Sequence, residues 1–108
     1  MDVVFAGDDT EGLVSALRKA GAEVRTVAGI ANRPALEDAG VSEADVFVLA
    51  DAAQATAIVV ARDLNPDLRV VAYTGESLPE FVSAQRVLSV DPDLLDPDAV
   101  AEELVDGR

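Results

Sequence analysis

Apolar residues fall along this chain in two alternating patterns: short continuous runs, and stretches in which they return every third or fourth position. Val3-Val4-Phe5-Ala6 and Ala44 to Ala50 (ADVFVLA) are continuous runs, which suit strands buried on both faces of a parallel sheet. Leu68 to Tyr73 (LRVVAY) and Arg86 to Val90 (RVLSV) read as a fourth and a fifth strand. Ala22 to Ala28 (AEVRTVA) alternates enough to be a strand with one solvated face, as expected at a sheet edge. Between these runs lie helical patterns. Thr10 to Ala20 places Leu13, Val14 and Leu17 on one face, has Arg18 and Lys19 near its carbonyl end, and is followed by Gly21 as a stop. Asn32 and Pro34 open a short helix that runs through Ala39 to Gly40. Asp51 to Leu64 (DAAQATAIVVARDL) is apolar almost all round, which predicts a helix pressed against the sheet and against a second subunit, ended by Asn65-Pro66.

Ser77-Leu78-Pro79-Glu80 has the form of a capping box, predicting a helix that includes Phe81 and Val82. Asp96-Pro97 supplies a cap and a first-turn proline for a closing helix with Val100, Leu104 and Val105. Five strands thus alternate with five helices. With right-handed crossovers this predicts a single α/β domain over residues 1–108, a three-layer, doubly wound, parallel five-stranded sheet of the Rossmann or flavodoxin kind, ordered 2-1-3-4-5.

Composition narrows the chemistry. The 108 residues include no Cys and no His, which removes thiolate nucleophiles, typical zinc sites and the usual general base. Ser15, Thr56 and Ser83 lie in predicted helices without a nearby base, so the expectation is a non-enzymatic domain. Against 21 acidic residues stand 8 basic ones, a net charge of −13, which argues against nucleic acid and anionic membranes as partners. Such acidity fits a salt-adapted cytosol, where molar salt cuts the screening length to roughly 3 Å. No apolar run approaches a membrane span and the start, MDVV, has no basic head, so a cytoplasmic location is expected.

In doubly wound sheets ligands bind beyond the carboxyl ends of the strands, where the strand order reverses. The residues that reach this rim are Gly7, Asp8, Asp9 and Thr10 after strand one, Gly29 and Ile30 after strand two, Asp51 after strand three, and Thr74 to Glu76 after strand four. Gly7, Asp9 and Gly12 keep the first and third glycines of the dinucleotide fingerprint GxGxxG and put a carboxylate at the second. The candidate contact residues are therefore Gly7, Asp8, Asp9, Thr10, Gly12 and Asp51. Backbone N–H groups from Asp9 to Gly12 would take an anion or ribose, and Asp8 and Asp51 hydroxyls or a cation. Arg33 is a lesser candidate for an anion at the rim. The alternative is that Gly7 and Gly12 serve only a tight turn and close helix packing.

From Gly29 onward the chain resembles the TrkA-N, or RCK N-terminal, family of regulatory domains that govern potassium uptake and efflux. The resemblance rests on a Gly, a short helix ending Leu36-Glu37-Asp38-Ala39-Gly40, and a strand introduced by Ala44-Asp45. A helix ending Ala61-Arg62-Asp63-Leu64-Asn65-Pro66 and the strand Arg69-Val70-Val71 follow in the family's order. It implies a regulatory or ligand-sensing domain that pairs as a homodimer, binds NAD or an adenine nucleotide, and acts in trans on a membrane transport protein or other partner. Three departures concern the ligand: Asp9 at the middle glycine, Ala28-Gly29-Ile30 where the ribose-binding acid is sought, and one helix and strand fewer than the family's six-strand unit. Asp8, Asp9, Asp51 and Thr74 also fall at places similar to the acidic pair, phospho-acceptor and hydroxyl of response-regulator receivers, which implies a Mg²⁺-dependent phospho-acceptor as an alternative. The Lys that receivers use after strand five is replaced by Val90-Asp91-Pro92. A protein-interaction scaffold without a ligand is the third reading.

Overall fold

The computed structural model describes residues 1–106. Five parallel strands form one sheet: β1 (Asp2–Ala6), β2 (Glu23–Val27), β3 (Val46–Leu49), β4 (Arg69–Tyr73) and β5 (Leu88–Val90), in the order β2-β1-β3-β4-β5. This is the doubly wound order expected from the alternation of patterns. The central strands earn their place by composition: Val3 to Ala6 and all of Val46–Leu49 are buried, so each strand gives side chains to both faces. In β2 Val24 and Val27 are buried while Glu23, Arg25 and Thr26 face water, as an edge position requires.

Four α-helices cover the sheet: α1 (Leu13–Lys19), α2 (Arg33–Asp38), α3 (Thr56–Leu64) and α4 (Pro97–Asp106). Val3, Phe5, Val46, Val48 and Val71 pack with α1 and α4 on one side. Val4, Ala6, Phe47, Leu49 and Val70 pack with α2 and α3 on the other. The alternation of strand side chains between faces builds these two cores, and the three layers with them. Asn65 fastens the second layer, its Nδ2 donating to the carbonyls of Val41 (3.1 Å) and Ala44 (2.9 Å).

Three local expectations are corrected. The first helix begins at Leu13 rather than Thr10, because Gly12 stands in the left-handed region at φ 81° and cannot continue a helix backwards. The stretch from Asp51 splits into a 3₁₀ turn (Ala52–Gln54) and α3, and it is not buried all round: Ala57, Ile58 and Ala61 face the core while Val59 is 41% exposed. The capping-box segment forms a 3₁₀ helix, Glu80–Gln85, with no side-chain cap at its start. Only Val82 of that segment is buried, too little apolar surface to hold an α-helical stripe against the sheet, and Arg86 ends it in the left-handed region at φ 53°, delaying β5 to Leu88.

Candidate functional site

The carboxyl ends of β1, β3 and β4 open onto a cleft of about 220 Å³. Gly7 makes the first turn possible. Its φ is +108°, and a Cβ built there would meet the Ala50 carbonyl carbon and the Asp51 nitrogen at 3.0 Å. The chain leaving β1 therefore crosses directly against the backbone leaving β3, and only glycine fits the crossing.

Beyond Gly7 the loop curls so that the Asp9 carboxylate faces the start of α1. Oδ1 accepts the N–H of Leu13 at 2.7 Å and Oδ2 accepts the N–H of Val14 at 3.2 Å. Gly12, the residue at the cap position, has no side chain to do this. A helix start has unpaired N–H groups and a partial positive charge, which in nucleotide-binding loops receive a phosphate. Here the protein's own carboxylate takes both. The acid at the middle position of the glycine pattern thus supplies the negative charge from within.

The cleft is lined by Asp8, Asp9, Thr10 and Glu11 after β1, by Ala50 after β3, by Thr74, Gly75 and Glu76 after β4, and by Phe5 and Tyr73. Four carboxylates and no Lys or Arg line it among the described residues, so the cleft repels anions. Its volume also falls below the roughly 300–1,000 Å³ usual for small-molecule and cofactor sites. Among the described residues no three acidic side chains come together in a way that could hold a metal ion.

The structure thus brings Asp8, Asp9 and Thr10 together and leaves the other three candidates outside the cleft lining. Gly7 and Gly12 shape the backbone on either side of it. Asp51 follows β3, as expected, and both its oxygens are engaged. Its Oδ1 accepts the N–H of Ala53 (3.0 Å) and its Oδ2 the side-chain amide of Gln54 (3.2 Å). Gln54 in turn accepts the N–H of Ala31 at 2.7 Å. Asp51 and Gln54 therefore tie the loop after β3 to the loop after β2. Arg33 pairs with Asp63 at 2.6 Å on the surface, away from the cleft. Ile30 is 76% exposed.

Sequence reasoning missed the role of Gln54, whose partners lie 3 and 23 residues away and leave no spacing signal. Tyr73, read in the sequence only as the end of the fourth strand, has a second role. The Tyr73 hydroxyl donates to the Leu95 carbonyl at 3.0 Å, and burial raises its pKa above the ordinary 10.0, with Glu11, Asp96 and Asp9 adding to the effect in that order. The folded state favours the neutral phenol, so the stability this gives is fully present below pH 10 and falls as pH rises from 10 through the folded value. Urea titrations at pH 8 to 11 should show this loss in the native chain and a flatter profile in Tyr73→Phe; equal slopes would refute it.

The fold defines a flavodoxin-like member of the doubly wound α/β class. More narrowly, the chain belongs to a family of unknown function (DUF7126), whose model matches residues 3–104. No curated protein matches the chain in sequence. Among solved structures it is similar to a provisionally assigned pilus assembly-related protein from Burkholderia pseudomallei K96243, with 21% identity and a TM-score of 0.67 over 96% of this chain and 86% of that one. A provisionally assigned pilus assembly protein, CpaE, from Burkholderia thailandensis E264 is similar at 18% identity and a TM-score of 0.66, over all of this chain and 99% of that one. At these identities the likeness is one of fold.

Proposed function

We propose that this chain is a non-enzymatic regulatory domain, related in kind to TrkA-N modules, in which dinucleotide binding has been lost and the domain works by contact with other protein. The observation that carries this reading is the Asp9 carboxylate on the N–H groups of Leu13 and Val14. A pyrophosphate approaching that turn meets Asp8, Asp9, Glu11 and Glu76 and finds its N–H donors already taken. Two unit charges of like sign at 4 Å repel by about 4 kcal/mol at an effective dielectric of 20. A ligand-free domain of this fold retains surfaces for partners, and the assembly roles ascribed to both structural neighbours fit a contact-making domain. The commitment of both Asp51 oxygens argues against the phospho-acceptor alternative.

The test is calorimetric titration with NAD⁺, NADH and ATP in molar KCl, with and without Mg²⁺. No binding is expected up to millimolar nucleotide. Saturable binding at micromolar concentration would return the domain to the ligand-sensing class.

A further inference from the structure

The two edges of the sheet are finished differently. The β2 edge carries Glu23, Arg25 and Thr26 toward solvent, the charged and polar finish that discourages pairing with another chain. The β5 edge is apolar. Leu88 in the strand is 57% exposed, and Leu94 and Leu95 just after it are 81% and 46% exposed. These are three of the six large hydrophobic residues exposed among the described residues, and they share one groove of about 350 Å³ between β5 and α4.

The backbone of this edge is also arranged for pairing. Thr74 donates to the carbonyl of Val90, so Val90 turns its polar groups toward β4. Backbone groups alternate along a strand, and Ser89 therefore points its N–H and C=O outward, away from the sheet. A strand whose single outward residue is its middle one can pair antiparallel with a copy of itself about a twofold axis through Ser89, the two serines exchanging both hydrogen bonds.

Charge follows the same symmetry. Arg86 precedes β5, and Arg62 and Arg69 line a groove with it; Asp91 and Asp93 follow β5, and Glu103 lies beside its far end. In an antiparallel pair centred on Ser89, the Arg86 end of one copy lies toward the Asp91 and Asp93 end of the other. The chain has a net charge of −13, and three of its seven arginines line this one groove.

We propose that the β5 edge is a symmetric homodimer interface, in which two copies join β5 to β5 into one continuous ten-stranded sheet with Leu88, Leu94 and Leu95 closing over the junction. With one hydrogen-bonded pair in so short a strand, the leucines carry the contact and the charges set its direction. The interface does not depend on the loss of nucleotide binding and stands or falls apart from it.

Sedimentation equilibrium of the full chain is the test. In molar KCl, where screening relieves the repulsion between two acidic bodies, the expected mass is twice the chain's 11.2 kDa. Leu88→Lys should raise the dissociation constant by about tenfold or more. Val59→Lys on α3, an exposed apolar control away from this edge, should leave it unchanged. At an ionic strength of about 0.15 M, where charges within about 8 Å still act, Arg86→Asp should weaken the dimer and Arg86→Asp with Asp93→Arg should restore it. A monomer under all conditions would overturn the proposal. So would a dimer broken by Val59→Lys and not by Leu88→Lys, or a double swap that restores nothing. Unchanged circular dichroism and melting temperature of each variant's monomer exclude misfolding as the cause.

Discussion

Gly7→Val lowers folding stability by about 3 to 5 kcal/mol, the sum expected of a side chain forced to positive φ and of packing into occupied space. The new Cβ would stand 3.0 Å from the Ala50 carbonyl carbon and from the Asp51 nitrogen. Both are backbone atoms at the end of β3, held on either side by β1 and β4, so neither can step aside cheaply. The clash is with the Cβ itself. Gly7→Ala should therefore suffer most of the same loss, whereas a flexible-neighbour clash would spare Ala. Urea midpoints in molar KCl measure it, and the melting temperature should fall by more than about 10 °C. A loss below about 1 kcal/mol for either variant would mean that the crossing of the β1 and β3 loops relaxes freely and does not fix the cleft.

Phe5→Ala is the second large effect. The Phe5 ring is 1% exposed, packs among Leu13, Leu17 and Val48 in the core under α1, and lies beneath the cleft between Asp8 and Tyr73. Removing it costs about 3 to 5 kcal/mol, the range for truncating a buried aromatic residue to Ala. Phe5 shares a core with Leu13 and Val14, whose N–H groups Asp9 caps, so the loss should be cooperative with that loop. In a double-mutant cycle Phe5→Ala and Asp9→Ala should couple by about 0.5 kcal/mol or more. Simple additivity would show that the Asp9 cap forms independently of the core beneath it.

The fold was legible because its strands differ in kind. Val3 to Ala6 and Val46 to Leu49 are continuous and buried, while Glu23 to Val27 mixes exposed and buried positions, and this alone separates the centre of the sheet from its edge. The site was legible only in part. The sequence places an aspartate at a glycine position of the phosphate loop, a visible departure from the dinucleotide fingerprint. What it could not display is the curl that carries the same carboxylate four and five residues forward to Leu13 and Val14. The bonds of Asp51 are silent in the sequence for a related reason: a carboxylate at a strand end looks alike whether its oxygens are free or cap the next turn, and only the Ala53 and Gln54 contacts decide. The helix from Asp51 was read as apolar all round because alanine leaves little to tell the core side of α3 from its solvent side; Val59 settles it by standing 41% exposed. The pairing of Arg33 with Asp63 spans 30 residues and has no local trace.

In the proposed reading the Asp9 carboxylate stands in for a ligand at the start of α1. The most direct measurement is the pair of backbone amide resonances of Leu13 and Val14 in a ¹H–¹⁵N spectrum in molar KCl. Both should shift when Asp9 is replaced by Asn, which keeps the side-chain shape and removes the charge, and neither should move when NAD⁺ or ATP is added to the native chain at millimolar concentration. Amides that ignore Asp9→Asn, or that titrate saturably with a nucleotide in the native chain, would contradict the account.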